Sequence, residues 1–328
     1  MINISKWEFP QEGKIESANP KLYLQNMTIK EVQERLKVND LVILVVGSLE
    51  NHGPGCPLGQ DTYQCTRMSE IIAEKTGCSL APPIFYGSHP FHHVGMPGTI
   101  VIPEEIFNGQ IRAVIAGLWN MGFRKQIIFN NHGQEYVIPT AIHQFAKRYQ
   151  VPAIILNYNW YHGISDMISG KDLGNIESGF DTTFVHADEV ETSFAMALMP
   201  EYVNETDRED TEPRGFLDGK FFDKAGNCLH RPICWYGAVG AGPVEFAAYP
   251  EGVVGAQTKG NPEKARKAIE KILDTFEEMV NMILEKYPPG TLPNWKELTQ
   301  RFSEEEMEML LKGPLKGGKH IYTVCYPP

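Results

Sequence analysis

Apolar positions along this chain follow two spacings, and the two alternate. Leu41-Val42-Ile43-Leu44-Val45-Val46 is an unbroken, largely β-branched run, as expected of a strand buried on both faces of a parallel sheet. Before it, Ile29, Val32 and Leu36 recur at helical spacing behind Thr28 and Glu31, a capping-box pair. After it, the pattern predicts a helix from Asp61 to Thr76 with Gly77 as C-cap, and another over 103–121. A strand over 126–129, a helix over 139–149, a strand over 151–156 and a helix over 187–198 follow. Asn261 as N-cap with Pro262 behind it opens a last long helix to Lys286, stopped by Pro288-Pro289-Gly290. Such alternation predicts an α/β fold, a parallel sheet with helices on both faces.

Three stretches fall outside the pattern. Residues 1–26 have scattered apolar positions without a period and are expected to form a surface arm. Residues 204–226 form a polar insertion, expected as an excursion or hairpin. Residues 287–328 are too polar for a core of their own and are expected to pack on the domain or on a neighbouring subunit. That leaves 27–286 as one domain, within the one or two that 328 residues suggest.

Charge narrows the function. With 41 acidic and 30 basic residues the net charge is −11, which argues against nucleic acid or an anionic membrane surface as partner. Leu41–Val46 is too short to span a bilayer, and the first residues lack the basic and apolar regions of a signal peptide. A cytoplasmic protein is expected. Cys56, Cys65, Cys78, Cys228, Cys234 and Cys325 show no two-residue gap, so idle thiols are expected rather than a zinc knuckle or redox motif.

Candidate chemistry gathers in four stretches. Gly47-Ser48-Leu49-Glu50-Asn51-His52-Gly53, followed by Gly59-Gln60-Asp61, begins where the buried strand ends, the usual ligand position in an open parallel sheet. Glu50 and His52 are two apart, so in extended backbone they point the same way. A Glu, a His and an Asp converging there would suit a divalent metal. Asn130-Asn131-His132-Gly133-Gln134 follows the next strand and brings His132 to the same rim. His186-Ala187-Asp188-Glu189-Val190-Glu191 opens a helix, where His186 could equally be a cap. His89, His92 and His93 share one loop that ends at Pro97-Gly98-Thr99.

This order of motifs, with Gly252-Val253-Val254-Gly255 before the last helix, resembles the creatininase (creatinine amidohydrolase) family over about residues 40–285. The resemblance implies a three-layer α/β/α sandwich with a mainly parallel sheet. It implies two divalent ions, zinc and/or manganese with iron as an alternative, and a homo-oligomer, commonly a hexamer. Carried over, Glu50 and His132 would bind one metal, His52 the other, and Asp61 would bridge them. The position that gives creatininase a further carboxylate is Gln134 here, so Glu191 is the natural substitute and Gln134 is expected to meet substrate. His186 matches the family's proton-shuttling histidine. Gly55-Cys56 and Asn131 depart from the common pattern.

The chemistry of such a site is hydrolysis. Bound metals lower the pKa of water from 15.7 toward about 7 and polarise a carbonyl. The tail and the histidine loop look like a branch of the family that opens a cyclic 1,3-diketone in inositol breakdown. His89, His93 and Trp160, with Tyr161 and His162 beside it, are expected to line the substrate pocket, although buried aromatics often serve as core. A cyclic amide or formamide hydrolase would need the same metal hydroxide, and a metal- or sugar-binding protein without turnover would have no use for a proton shuttle.

Overall fold

The computed structural model describes Trp7 and residues 19–90, 93–134, 136–212, 220, 251–297 and 302–324. Its centre is a four-stranded, wholly parallel sheet in the order β2-β1-β3-β4, with β1 Leu41–Val46, β2 Ser79–Leu80, β3 Lys125–Asn130 and β4 Ile154–Asn159. The pleat of β1 sorts its side chains between two cores. Leu41, Ile43 and Val45 pack with Ile127 and Phe129 against Met68 and Ile72 of α2 (Gln60–Thr76). Ile269, Ile272 and Phe276 of α8 (Pro262–Lys286) complete that layer. Val42, Leu44 and Val46 face the other way, toward Phe107 and Ile111 of α3 (Glu104–Met121) and Ile138 and Phe145 of α4 (Val137–Tyr149). Helix, sheet, helix: the fold is the three-layer sandwich, and the continuous apolar run of β1 is its physical cause.

Several ends match their sequence signals. Thr28 and Glu31 form the expected capping box on α1 (Ile29–Val38), Gly77 closes α2 in the left-handed conformation, and Asn261 caps α8 through the Glu263 amide. The fourth strand, expected over 151–156, instead covers Ile154–Asn159. Its register is set by residue-for-residue pairing with β3, from Lys125↔Ile154 to Asn130↔Asn159, and not by its apolar content. Two short helices follow it, α5 (Trp160–Gly163) and α6 (Ser165–Ile168). Next, α7 spans Glu189–Leu198 and starts two residues later than expected because Asp188 is its N-cap, accepting from the Val190 and Glu191 amides.

The expected surface arm is in part core. Trp7, Leu22 and Tyr23 are buried in the α2–α8 layer, and the Tyr23 hydroxyl donates to Glu70 at 2.6 Å. Aromatics placed without a period still bury large areas, which is why the pattern hid them. Within the polar insertion, β5 (Asp210–Thr211) pairs antiparallel with β6 (Gly255–Ala256); 213–219 and 221–226 lie outside the described residues. Phe302 and Ile321, with Met307 and Leu310 of α9 (Glu304–Lys312), join the α3–α4 core, so the C-terminal extension packs on the domain. Cys56, Cys65 and Cys78 are buried and free, and burial pushes the Cys56 thiol up to about 12. Cys228, Cys234 and Cys325 lie outside the described residues. No helix among the described residues is long and apolar enough to cross a membrane.

Candidate metal centre

All the expected ligands meet at the carboxyl ends of β1 and β3. Beyond β1 the chain turns at Gly47, where any Cβ would lie 2.5 Å from the Thr62 backbone nitrogen. This close approach seats the first turn of α2, and Asp61 with it, against the Glu50–His52 segment. Asp61 therefore sits at a helix N-terminus, which favours its charge. His132 follows β3 by two residues, and the loop between β2 and α3 brings in His89 and His93. Glu191 lies in the first turn of α7, with His186 just ahead of that helix.

The distances are short. His132 Nδ1 is 2.9 Å from Glu50 Oε2 and 3.1 Å from Asp61 Oδ2. His52 Nε2 is 3.3 Å from Asp61 Oδ1 and 3.7 Å from Glu191 Oε2. His186 Nε2 lies 3.6 Å from Glu50 Oε1, its Nδ1 3.7 Å from Glu191 Oε2. His93 Nδ1 contacts Glu50 Oε1 directly, and His89 Nδ1 is 3.9 Å from the same oxygen. Among the described residues, three sets have ligand atoms within 4.8 Å of one another: Glu50-His89-His93-His132, Glu50-His52-His186 and His52-Asp61-Glu191.

Hydrogen bonds aim these groups. His52 Nδ1–H donates to the Glu50 carbonyl at 3.1 Å, which leaves Nε2 to face the two carboxylates. His186 Nε2–H donates to the Asn51 carbonyl at 2.8 Å and leaves Nδ1 toward Glu191. Ser48 Oγ donates to Asp61 Oδ2 at 2.5 Å, and Asn131 Nδ2 to Asp61 Oδ1 at 2.8 Å. Behind them Gln257 donates to both the His52 and Ala187 carbonyls and accepts from the Gly55 amide, tying the two ligand loops together. Ala187, between His186 and the α7 cap, holds a positive φ of 49°, a conformation costly for a non-glycine residue and common at functional sites.

The electrostatics divide the histidines. Burial would lower His52 and His132, but Asp61 and Glu50 respectively, with the neighbouring carboxylates, raise each to about 10. Burial prevails for His93 and His186, which fall to about 4 despite Glu50. Glu50 stays well below the usual carboxylate range against its own burial, held by His132, His93 and His186. Glu191 is raised by burial, with Asp61 and Asp188 opposing its ionisation further.

A divalent ion fits this donor set. Among the described residues, both ring nitrogens of His89 and Nε2 of His132 are buried without a hydrogen-bond partner, a state costing about 1–3 kcal/mol per group unless something supplies the missing interaction. Imidazole and carboxylate together are zinc, manganese and iron chemistry.

The expected pocket lining fares differently. Gln134 is fully buried with its amide engaged: Oε1 accepts from Ser88 N–H, and Nε2 donates to Gly47 and Asn130. Its amide thus joins the loop of Ser88 and the turn at Gly47 to the end of β3. Trp160 is also fully buried, stacked on Phe194 at 4.8 Å and donating to Asn131; it belongs to the core. The Tyr161 hydroxyl donates to the His132 carbonyl, and His162 is exposed. His89 and His93 turn toward Glu50, and His92 lies outside the described residues. Ser48, Asn131, Asp188 and Gln257 were not expected to support the site. Ser48, Asn131 and Asp188 lie inside the motifs, whereas Gln257 has no local signal.

A parallel three-layer sandwich with a buried His/carboxylate cluster at the strand ends defines a metallohydrolase-like architecture. Residues 25–280 match the family model for creatininase (creatinine amidohydrolase), and the chain belongs to that family of hydrolases. It is 54% identical over 303 residues to the 3-dehydro-scyllo-inosose hydrolase of Thermotoga maritima, covering 92% of this chain and 96% of that protein. Creatinine amidohydrolase of Pseudomonas putida is 25% identical over 200 residues, 56% of this chain and 74% of that one. Two solved creatininases, a manganese form and a Zn–Zn mutant, each superpose with TM-score 0.62 at 20% identity, over 82% of this chain and 99% of theirs.

Proposed function

We propose that this protein is a metal-dependent hydrolase that opens the cyclic diketone 3-dehydro-scyllo-inosose. The observation that carries this reading is the 54% identity to the Thermotoga hydrolase along nearly its full length. The geometry supports it: five expected ligands, Glu50, His52, Asp61, His132 and Glu191, converge with His186. Two divalent ions, zinc or manganese, would be held there, Asp61 lying between His52 and His132. When bound they supply a nucleophilic hydroxide near neutral pH and polarise the carbonyl under attack.

The chain's own residues do the rest. Water oxygen bonds to one carbonyl carbon, the ring C–C bond beside it breaks, and its electron pair leaves on carbon as an enolate that must be protonated. His186 is neutral at rest with its Nε2–H engaged by the Asn51 carbonyl, so its open Nδ1 takes the proton that the attacking water gives up and delivers it to that carbon. One water is consumed and an open-chain keto acid results. Asn131 and Ser48 fix the Asp61 carboxylate against the charges it faces. The same reading places the protein in the cytoplasm, in inositol breakdown, and in a homo-oligomer with no nucleic-acid or membrane partner.

The test is a side-by-side assay of the metal-loaded protein on the diketone and on creatinine, following ring opening by NMR. Preferential opening of the diketone is expected. Faster conversion of creatinine to creatine would move the enzyme to C–N cleavage.

A further inference from the structure

We infer that the loop between β2 and α3 supplies two metal ligands, His89 and His93, which complete a site with Glu50 and His132. This rests on the hydrolase reading above and deepens it by assigning one ion a ligand field of three imidazoles and one carboxylate. Three observations converge on it. The ligand atoms of these four residues lie within 4.8 Å of one another, and each residue is at most 5% exposed. Among the described residues, both ring nitrogens of His89 and Nε2 of His132 are buried without a hydrogen-bond partner, so the His89 ring is placed by packing alone and His132, anchored through Nδ1, keeps Nε2 open. Gln134 cannot take the ligand role, since its amide is already bonded to Ser88, Gly47 and Asn130.

The set shares no residue with His52-Asp61-Glu191, and Asp61 reaches toward both, 3.1 Å from His132 Nδ1 and 3.3 Å from His52 Nε2. Each set can thus serve one ion, with the Asp61 carboxylate between them. Three neutral nitrogens and one carboxylate select a borderline divalent cation such as zinc or iron(II) over magnesium or calcium. A substrate-binding role predicts something else: His89 and His93 would be needed for affinity toward substrate and irrelevant to metal content.

Metal content separates the two. The full chain, stripped with chelator and reloaded with zinc or cobalt(II), is compared with His89→Gln, His93→Gln and the exposed control His143→Gln. Each loop variant is expected to lose about one ion per chain, or to hold it roughly a hundredfold more weakly, with a matching loss of cobalt absorption; His143→Gln should equal the unmodified chain. His89→Asn and His93→Asn replace any Gln variant whose circular dichroism shows it unfolded. Loop variants that keep full metal content and affinity while KM rises overturn the inference and leave the hydrolase reading standing. An unmodified chain that takes up no divalent ion overturns both.

Discussion

The two ends of β1 and β3 carry buried charge on the same pair of strands, and they treat it in opposite ways. At the amino ends Lys125 is fully buried, and its Nζ donates to Asp40 Oδ1 at 2.5 Å and to the Pro288 carbonyl at 3.1 Å. Asp40 Oδ2 accepts from the Gly290 amide at 3.0 Å. Donors and acceptors match, and the pair clamps the start of the C-terminal extension to the sheet. At the carboxyl ends three carboxylates face five histidines, and nitrogens of His89 and His132 are left over. A closed network specifies structure, whereas an open one in a buried site is prepared for an ion.

The sharpest way to break this contrast is Asp61→Ala. It removes the carboxylate between the two ligand sets, and we expect bound metal to be lost and turnover to fall to background. Full metal content and activity in that variant would end the bridging role. Next comes His186→Ala, which should lower kcat and kcat/KM together by about 10²–10⁴-fold with metal retained. Asp188 remains as the helix cap, so melting temperature should fall only modestly, by the loss of the His186–Asn51 hydrogen bond at about 1 kcal/mol. A lowered melting temperature with unchanged kcat would return His186 to a structural role.

At the other end, Lys125→Met leaves Asp40 buried without its cation and should destabilise the fold by about 3–5 kcal/mol, read by urea unfolding, with kcat per folded molecule unchanged. Adding Asp40→Leu should recover much of that loss, as expected for a structural pair; no recovery would mean the pair does more than hold the extension.

The smallest effect is a pH dependence. In the metal-free protein His52 and His132 are raised from 6.5 to about 10. Their stabilisation is therefore complete below about pH 6.5 and lost as pH rises toward 10. Metal binding must displace these protons, so loading at pH 7 should release protons and tighten as pH rises. The gain in melting temperature on adding zinc should accordingly grow between pH 6.5 and 9. A gain independent of pH would mean that neither imidazole is a ligand.

Much of the fold was legible because its signals are local. The apolar run 41–46, the Thr28–Glu31 capping box and the Asn261-Pro262 start each depend on residues within a turn of one another. Glu50, His52, Asp61 and His132 were legible for a related reason: strand ends mark the rim where they sit. Other features depend on partners far along the chain. β4 takes its limits from β3, Trp7 is buried by α8, and Trp160 looks like a pocket wall until Phe194 is stacked on it.

The sequence by itself determined the inventory: an alternating α/β chain, its capped helices, and a set of His, Glu and Asp donors at strand ends. Only the tertiary structure decided which donors are spent on the protein and which are left for something else. Gln134 is spent on two loops and the end of β3, whereas His89 and His93 are turned inward to Glu50. The physical reason is that periodicity and capping are properties of neighbours in sequence. Hydrogen-bond saturation belongs to neighbours in space, and no local pattern encodes it.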